Sequence, residues 1–358
     1  MIPLASALHD MGHEVTYIAE ERMTVDRRNM GWKDSVETNF EIIIIKNKNH
    51  ISNLINSFSS EAVHCVQGVY ANGEMRKVRH LLKKNGVRWG AMMETIDERS
   101  WLWPIKRMVY WRYLSKWSNR PDFVLSIGEK TKKWVEDRGF LAKNTFPFTY
   151  FIEVNAEKKT YSKLSNGLFR IGYVGQLIPL KRVDLLIDAL AEILSPKLEL
   201  IIIGDGPLYN FLEKKAFEKL NKQKFTMLGQ LQIDMIPSAM KNLDCLVLPS
   251  DYDGWGVVVT EALMTGVPVI CSDACGASEA VISSGVGGVF PKGDIEALRI
   301  LLKKNLSEGV IGPKKSTQLS IWANSLGNKV GANYFCEIIN FVYNDGEKPS
   351  PPWKKEMF

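Results

Sequence analysis

The chain has 358 residues, 45% of them hydrophobic and 24% charged, with a net charge of +6. These values fit a soluble globular protein with room for two domains and exclude a fibrous, disordered or multi-span membrane chain. The five cysteines at 65, 245, 271, 275 and 336 form no CxxC pair, no apolar run reaches the roughly 20 residues of a membrane span, and the opening lacks a signal peptide, so a cytoplasmic protein with reduced thiols is expected.

The chain opens on a helical segment, PLASALHDMG, and only then reaches a strand candidate, HEVTYIA at 13–19. Further candidates follow at 40–46, 62–68, 87–94 and 123–128, with helices between them. A doubly wound domain normally opens on a strand that sits mid-sheet. The helix-first order therefore suggests that the first strand and its loop lie upstream of Met1.

This half carries the charge. Residues 1–150 hold 23 Lys/Arg against 17 Asp/Glu, whereas 151–358 hold 23 of each. Within it, WLWPIKRMVYWRYLSKWSNR interleaves Trp101, Trp103, Trp111 and Trp117 with basic residues. Tryptophan with lysine and arginine suits a membrane–water interface, so an anionic membrane surface is one expected partner. The alternative is an ordinary helix with its tryptophans in a core. Nucleic acid is not expected, because no recognition motif is present.

A linker is expected at 154–167, dividing a first domain (1–153) from a second (168–320). The second half alternates cleanly: strands at 168–175, 198–204, 225–229, 244–250, 267–272 and 287–290, with helices at 181–194, 208–220, 233–243, the 257 region and 294–306. Continuous apolar strands separated by helices mean a parallel sheet covered on both faces. After residue 320, IWANSLGNKVGANYFCEIINFVYN reads as one helix, and KPSPPWKKEMF as an extended tail.

Three strand-to-helix loops of this half share a character. DYDGWG follows LVLPS and precedes VVVTEALMT; LIPLK follows YVGQ; and GDGP follows LIII. Ligands of open α/β sheets bind beyond the carboxyl ends of the strands, and helix N-termini favour anions. Gly254 and Gly256 would let backbone amides approach a phosphate. Asp253 precedes the helix, and Glu261 lies roughly 7 Å beyond its first turn, about the distance from a diphosphate to its ribose. Carboxylates can accept both hydroxyls of a diol. The plainer alternative makes Asp253 a turn residue, Glu261 a solvated helix position and Lys181 a surface lysine.

Taken in order and spacing, GYVGQLIPLKRVDLLIDAL, LIIIGDGPL, FTMLGQL and DGWGVVVTEALMTGVPVICSD resemble the donor half of retaining glycosyltransferase family 4. The resemblance is strong over about 168–305 and fainter elsewhere. It implies the GT-B fold: two Rossmann-like domains facing across a cleft, with a C-terminal helix (within 321–358) crossing back to the first. It implies a nucleoside-diphosphate sugar as co-substrate, no other cofactor, and a glycan or lipid-linked acceptor glycosylated with retention, in cell-surface polysaccharide or glycolipid synthesis.

Residue by residue, the resemblance makes Lys181 the lysine that neutralises the diphosphate. Asp253 becomes a contact to donor-sugar hydroxyls and Glu261 the ribose ligand. Gly254, Trp255, Gly256 and Val257 become backbone donors to phosphate and sugar. Gly175 and Gln176 belong to the phosphate loop. Gly204, Gly206, Pro207, Gly229 and Leu231 border the base and ribose. Gln176 stands where many members carry a second phosphate-binding arginine, which shifts the charge burden to Lys181. Glu94 occupies about the place of a first-domain histidine and would meet the acceptor or the sugar. Asp251 with Asp253 looks like a metal-binding DxD, but that use belongs to another glycosyltransferase fold, and no metal is implied. The competing reading is a non-catalytic sugar-nucleotide-binding or scaffold protein; a sugar-nucleotide epimerase is disfavoured by the acidic-x7-Glu element.

Overall fold

The computed structural model describes residues 1–21, 38–45, 48–68, 74–95, 103–118, 120–154, 167–193, 195–220, 224–355 and 357. The expected linker at 154–167 lies, apart from its two ends, outside them. Two compact units emerge, the chain passing from the first to the second between Phe151 and Ile152, returning at Gly331–Pro351 and leaving again from Pro352.

The first unit contains α1 (Ile2–Asp10), β1 (Thr16–Ala19), β2 (Glu41–Ile44), α2 (Lys48–Ser57), β3 (His64–Gln67), α3 (Glu74–Asn85), β4 (Trp89–Met93), α4 (Trp103–Ser115), β5 (Phe123–Ile127), α5 (Glu129–Glu136) and β6 (Thr145–Phe148). Its strands pair in parallel as two sheets, β1-β2 and β3-β4-β5-β6. β4 and β5 are buried at every position, as their uninterrupted apolar runs require. Ile51, Ile55, Leu82, Leu114, Trp117 and Val135 build the core around them.

Strand β6 was not anticipated. Its sequence, TFPF, contains a proline, which weakens a strand reading. It sits at the sheet edge, where a missing N–H breaks no ladder on the open side. The carbonyl of Pro147 instead accepts a hydrogen bond from Tyr334 Oη at 3.0 Å.

The second unit contains β7 (Phe169–Val174), α6 (Val183–Ala191), β8 (Leu198–Ile203), α7 (Tyr209–Lys219), β9 (Lys224–Gly229), α8 (Ile236–Lys241), β10 (Cys245–Leu248), α9 (Val257–Met264), β11 (Val269–Ser272), α10 (Ser278–Ser284), β12 (Gly287–Phe290), α11 (Ile295–Glu308) and α12 (Pro313–Ala323). One parallel sheet runs β12-β11-β10-β7-β8-β9. From β7 the chain steps outward through β8 and β9, then returns to lay β10 on the other side of β7. The strand order therefore reverses between β7 and β10.

Two expectations for the C-terminus need correction. The single helix after residue 320 is two: α12 begins earlier, at Pro313, and α13 spans Asn328–Tyr343. Between them Gly327 is extended and pairs with Ile152, whose carbonyl accepts from Asn328 N at 2.8 Å. A backbone committed to that bridge cannot continue a helix. From Gly331 onward α13 belongs to the first unit, where Tyr334 stacks on Phe148 at 6.0 Å and Phe341 meets Phe146 edge-on at 5.8 Å.

The tail is likewise anchored rather than merely extended. Pro352–Lys354 form a turn that buries Trp353 fully, with its ring edge-on to Trp255 at 5.7 Å. Lys355 O accepts from Trp322 Nε1 at 2.7 Å, and Met357 N donates to Ser283 O at 3.2 Å. An apolar ring at the end of a proline-rich segment outweighs that segment's preference for open PPII.

Because Trp353 fills a closed site, Trp353→Ala should destabilise the protein by about 3–5 kcal/mol. Denaturant unfolding monitored in the far ultraviolet checks this; a loss below about 1 kcal/mol would mean that the tail is not part of the folded core.

Candidate donor-binding site

In a doubly wound sheet, the crevice for ligands opens where the strand order reverses. Here that point lies between the loops that follow β7 and β10. The first carries Gly175, Gln176 and Lys181; the second carries Asp251, Asp253 and Gly254–Gly256. The sequence-derived residues thus converge where the topology demands.

Two ion pairs join the loops. Lys181 Nζ donates to Asp253 Oδ2 at 2.5 Å, and Arg182 Nη1 reaches Asp251 Oδ1 at 3.3 Å. Asp251 N also donates to Leu180 O at 2.9 Å. Lys181 is not the first helical residue, as the periodicity suggested. It closes a 3-10 turn, Pro179–Lys181, and α6 starts two residues later at Val183. Arg182 between them is left-handed, with φ 50 and ψ 40. A side chain there costs roughly 1 kcal/mol or more. Its guanidinium is held by both Asp184 and Asp251, which offsets that cost. Arg182 was overlooked in the sequence, where the run LKR gives no sign of its backbone.

The loop after β10 is fastened on one edge and open on the other. The carbonyl of Ser250 accepts from Ser272 Oγ at 2.5 Å, that of Asp253 from Gly276 N at 3.0 Å, and that of Trp255 from Ala277 N at 2.8 Å. All three donors come from β11 or the β11–α10 loop, none of whose residues stood out in the sequence. By contrast, the amides of Gly254, Trp255, Gly256 and Val257 donate no hydrogen bond among the described residues. They lead into the N-terminus of α9, whose dipole adds partial positive charge. The turn requires glycine at 256, where φ is 84 and a Cβ would stand 2.7 Å from Cys275 Sγ. Burial and the neighbouring Cys271 push the Cys275 thiol well up, so it stays protonated and donates to Trp255 O at 2.9 Å.

Trp255 contributes backbone only. Its indole is buried, donating from Nε1 to Thr260 Oγ1 at 2.9 Å and packing on Trp353. The loop is thereby anchored from beneath.

Glu261 lies on α9, four residues beyond its start. It is half-buried, and among the described residues its carboxylate has no hydrogen bond or ion pair. Burial pushes its pKa up to about 6. Partial burial without a partner carries a desolvation cost and leaves the carboxylate able to accept donors from a ligand.

The third loop supports the first. Gly204 N donates to Gly229 O at 2.8 Å, and a Cβ on Gly204 would sit 1.9 Å from Gly175 O, so only glycine admits this approach. Leu177 N and Leu208 N then tie the loops after β7 and β8 together, donating to Asp205 O and Leu177 O. Gly206 packs on the Leu177 backbone, Pro207 and Gln176 are exposed, and Leu231 follows the end of β9. Tyr173 Oη donates to Gln176 O at 2.8 Å; burial and then the Asp253 charge keep that phenol neutral.

In the first unit, Glu94 follows β4 at its carboxyl end, exposed, and accepts from Tyr150 Oη at 3.2 Å.

Comparison with known proteins bears on the family and the fold. Residues 155–321 match the family "Glycosyl transferases group 1". The capsular polysaccharide biosynthesis glycosyltransferase CapM of Staphylococcus aureus is 28% identical over 218 residues, 59% of this chain and 56% of CapM. The chain thus spans little more than half the length of that relative. Among solved structures, HepE of Anabaena in complex with UDP aligns with a TM-score of 0.65 at 18% identity, covering 84% of this chain and 86% of HepE. Sucrose-phosphate synthase of Thermosynechococcus elongatus aligns with a TM-score of 0.68 at 15% identity, covering 96% and 92%. These likenesses show the fold, GT-B.

Glu261 provides a sign test. A carboxyl whose folded pKa is raised from 4.5 to about 6 destabilises the fold above that range. Glu261→Gln should therefore stabilise the protein by about 2 kcal/mol at pH 7.5 and by almost nothing at pH ~4, where both states are protonated. Thermal melts at the two pH values distinguish this from a solvated glutamate, for which neither should move.

Proposed function

We propose that this chain, which carries a group 1 glycosyltransferase domain over residues 155–321, is a sugar-nucleotide-dependent glycosyltransferase of the retaining family 4 type. It moves a sugar from a nucleoside diphosphate to a glycan or lipid-linked acceptor, in cell-surface polysaccharide or glycolipid synthesis at the cytoplasmic face of a membrane. One observation carries the reading: four amides and a half-buried carboxylate, all without a partner among the described residues, share the switch point of one sheet with a lysine.

Each group has a task in that chemistry. The amides of 254–257 and the α9 dipole receive the diphosphate. Glu261 accepts ribose hydroxyls, and this supplies the partners it otherwise lacks. Lys181 meets the phosphates, and Asp253, its partner in the loop, turns to donor-sugar hydroxyls as the phosphate takes over the ammonium. Gln176 adds a neutral donor, and Gly204–Pro207, Gly229 and Leu231 flank base and ribose. Glu94, oriented by Tyr150, serves the acceptor hydroxyl or the sugar.

As the glycosidic bond breaks, its electron pair leaves with the phosphate and an oxocarbenium-like centre develops. Fixed positive charge at the phosphates is worth more in that state than in the ground state. The name of HepE's complex makes UDP the first nucleotide to try.

Lys181→Ala should lower turnover by on the order of 10²-fold or more, because one preorganised electrostatic donor is lost. Gln176→Arg should recover part of it in the double variant by returning a cation to the phosphates. Steady-state turnover with UDP- and GDP-sugars tests this, alongside calorimetry with UDP and GDP. A Lys181→Ala enzyme with a raised KM and intact kcat would make Lys181 a uniform binding contact. Nucleotide affinity in the wild type should also fall as pH drops through about 6 and Glu261 protonates, and Glu261→Gln should flatten that profile.

A further inference from the structure

Helix α4 (Trp103–Ser115) packs only one side into the first unit. Leu114 is buried, and Trp117 just beyond the helix lies against Trp89 at 6.2 Å and beneath the Arg79 guanidinium at 5.3 Å. On the other side a surface helix should be polar. Here that side carries Ile105, Met108, Val109 and Trp111, exposed by 60%, 59%, 49% and 52%. Their spacing puts them on one exposed side of the helix, with Arg112 and Lys116 set among them. The expected tryptophans thus split: Trp117 is core, Trp111 is surface, and Trp101 and the Trp103 side chain lie outside the described residues.

The charge around this face has one sign. From Arg99 to Pro121 the sequence has six basic residues (Arg99, Lys106, Arg107, Arg112, Lys116 and Arg120) and not one Asp or Glu. Of these, Arg107, Arg112, Lys116 and Arg120 are exposed. α3 lies alongside, with His80 against Trp117 at 5.2 Å, and adds exposed Lys83 and Lys84. Cations of one sign set among and beside exposed apolar side chains complement an anionic headgroup layer above hydrocarbon, with tryptophan at the boundary. No helix among the described residues is long and apolar enough to cross a membrane. The same face is therefore suited to lie in the interface.

We propose that the exposed face of α4, built from Ile105, Met108, Val109 and Trp111 with Arg112 and Lys116 among them and Arg107 beside them, docks this chain on an anionic phospholipid surface. In purpose this rests on the lipid-linked-acceptor reading above: it would hold the first unit at the surface where such an acceptor lies. In evidence it stands on the exposure pattern and the charge.

The test is sedimentation of the full chain with phosphatidylcholine vesicles, with and without about a third phosphatidylglycerol, with UDP titration on the same preparations. Wild type should bind the anionic vesicles and bind neutral ones at least 10-fold more weakly. Met108→Ser/Val109→Ser should lose 10-fold or more, because the apolar stripe is broken while the charge stays. Arg107→Gln/Arg112→Gln should lose on the order of 10-fold, with a weaker dependence on salt. UDP affinity should be unchanged in both double variants, and far-ultraviolet spectra and thermal melts matching wild type report that the first unit is folded. Equal vesicle binding by wild type and Met108→Ser/Val109→Ser overturns the proposal. So does a wild type that ignores anionic vesicles but forms a dimer that this variant dissociates, since a second copy would then cover the face. Vesicle binding without any nucleotide binding leaves the docking face standing and overturns the transferase reading instead.

Discussion

The donor face depends on a crossed pair of ion pairs. Two consecutive cations of one loop, Lys181 and Arg182, reach two alternate carboxylates of another, Asp253 and Asp251. The loops belong to β7 and β10, adjacent strands reached by opposite courses of the chain. Nothing in the local sequence of either loop fixes its distance from the other. The side chains are less than a fifth to a little over a quarter exposed, so the pairs are screened less than surface pairs and can hold that distance. The two pairs differ in character. Arg182 is shared with Asp184 and works as a brace. Among the described residues Lys181 has one acidic partner, which it can exchange for another anion without loosening the brace.

The α/β alternation of the second unit was legible because its strands are largely apolar runs, as buried parallel strands are, with the charges of Arg170 on β7 and Glu199 on β8 paired to each other. Asp253 and Glu261 were legible because a single strand–turn–helix unit presents both. What escaped was whatever depends on distant pairing. Strand β6 carries a proline that argues against a strand unless the edge position is known. The break between α12 and α13 exists because Gly327 pairs with Ile152, a partner 175 positions away in the sequence. Trp353 looked like part of a solvated tail because Trp255, which it packs against, is far from it in the chain. The left-handed backbone of Arg182 has no sequence mark, since glycine, the usual signal, is absent.

The loop after β10 concentrates costs. Among the described residues it has unpaired amides, a left-handed glycine at its exit and, one turn into its helix, a half-buried carboxylate without a partner. A free loop of this kind would relax, turning its amides to its own carbonyls or to water. It is prevented from doing so on two sides. The β11–α10 loop takes the carbonyls of Ser250, Asp253 and Trp255, and Trp353 backs the Trp255 ring. With carbonyls engaged and the indole fixed, the amides have no internal acceptor to turn toward. The strain is thus sustained by packing that is itself far from any ligand chemistry, and a polyanion bearing hydroxyls relieves the amides and Glu261 together. A smaller anion such as inorganic phosphate can satisfy the amides alone, leaving Glu261 uncompensated. The same geometry that stores the cost therefore favours a ligand long enough to reach from Gly254 to Glu261.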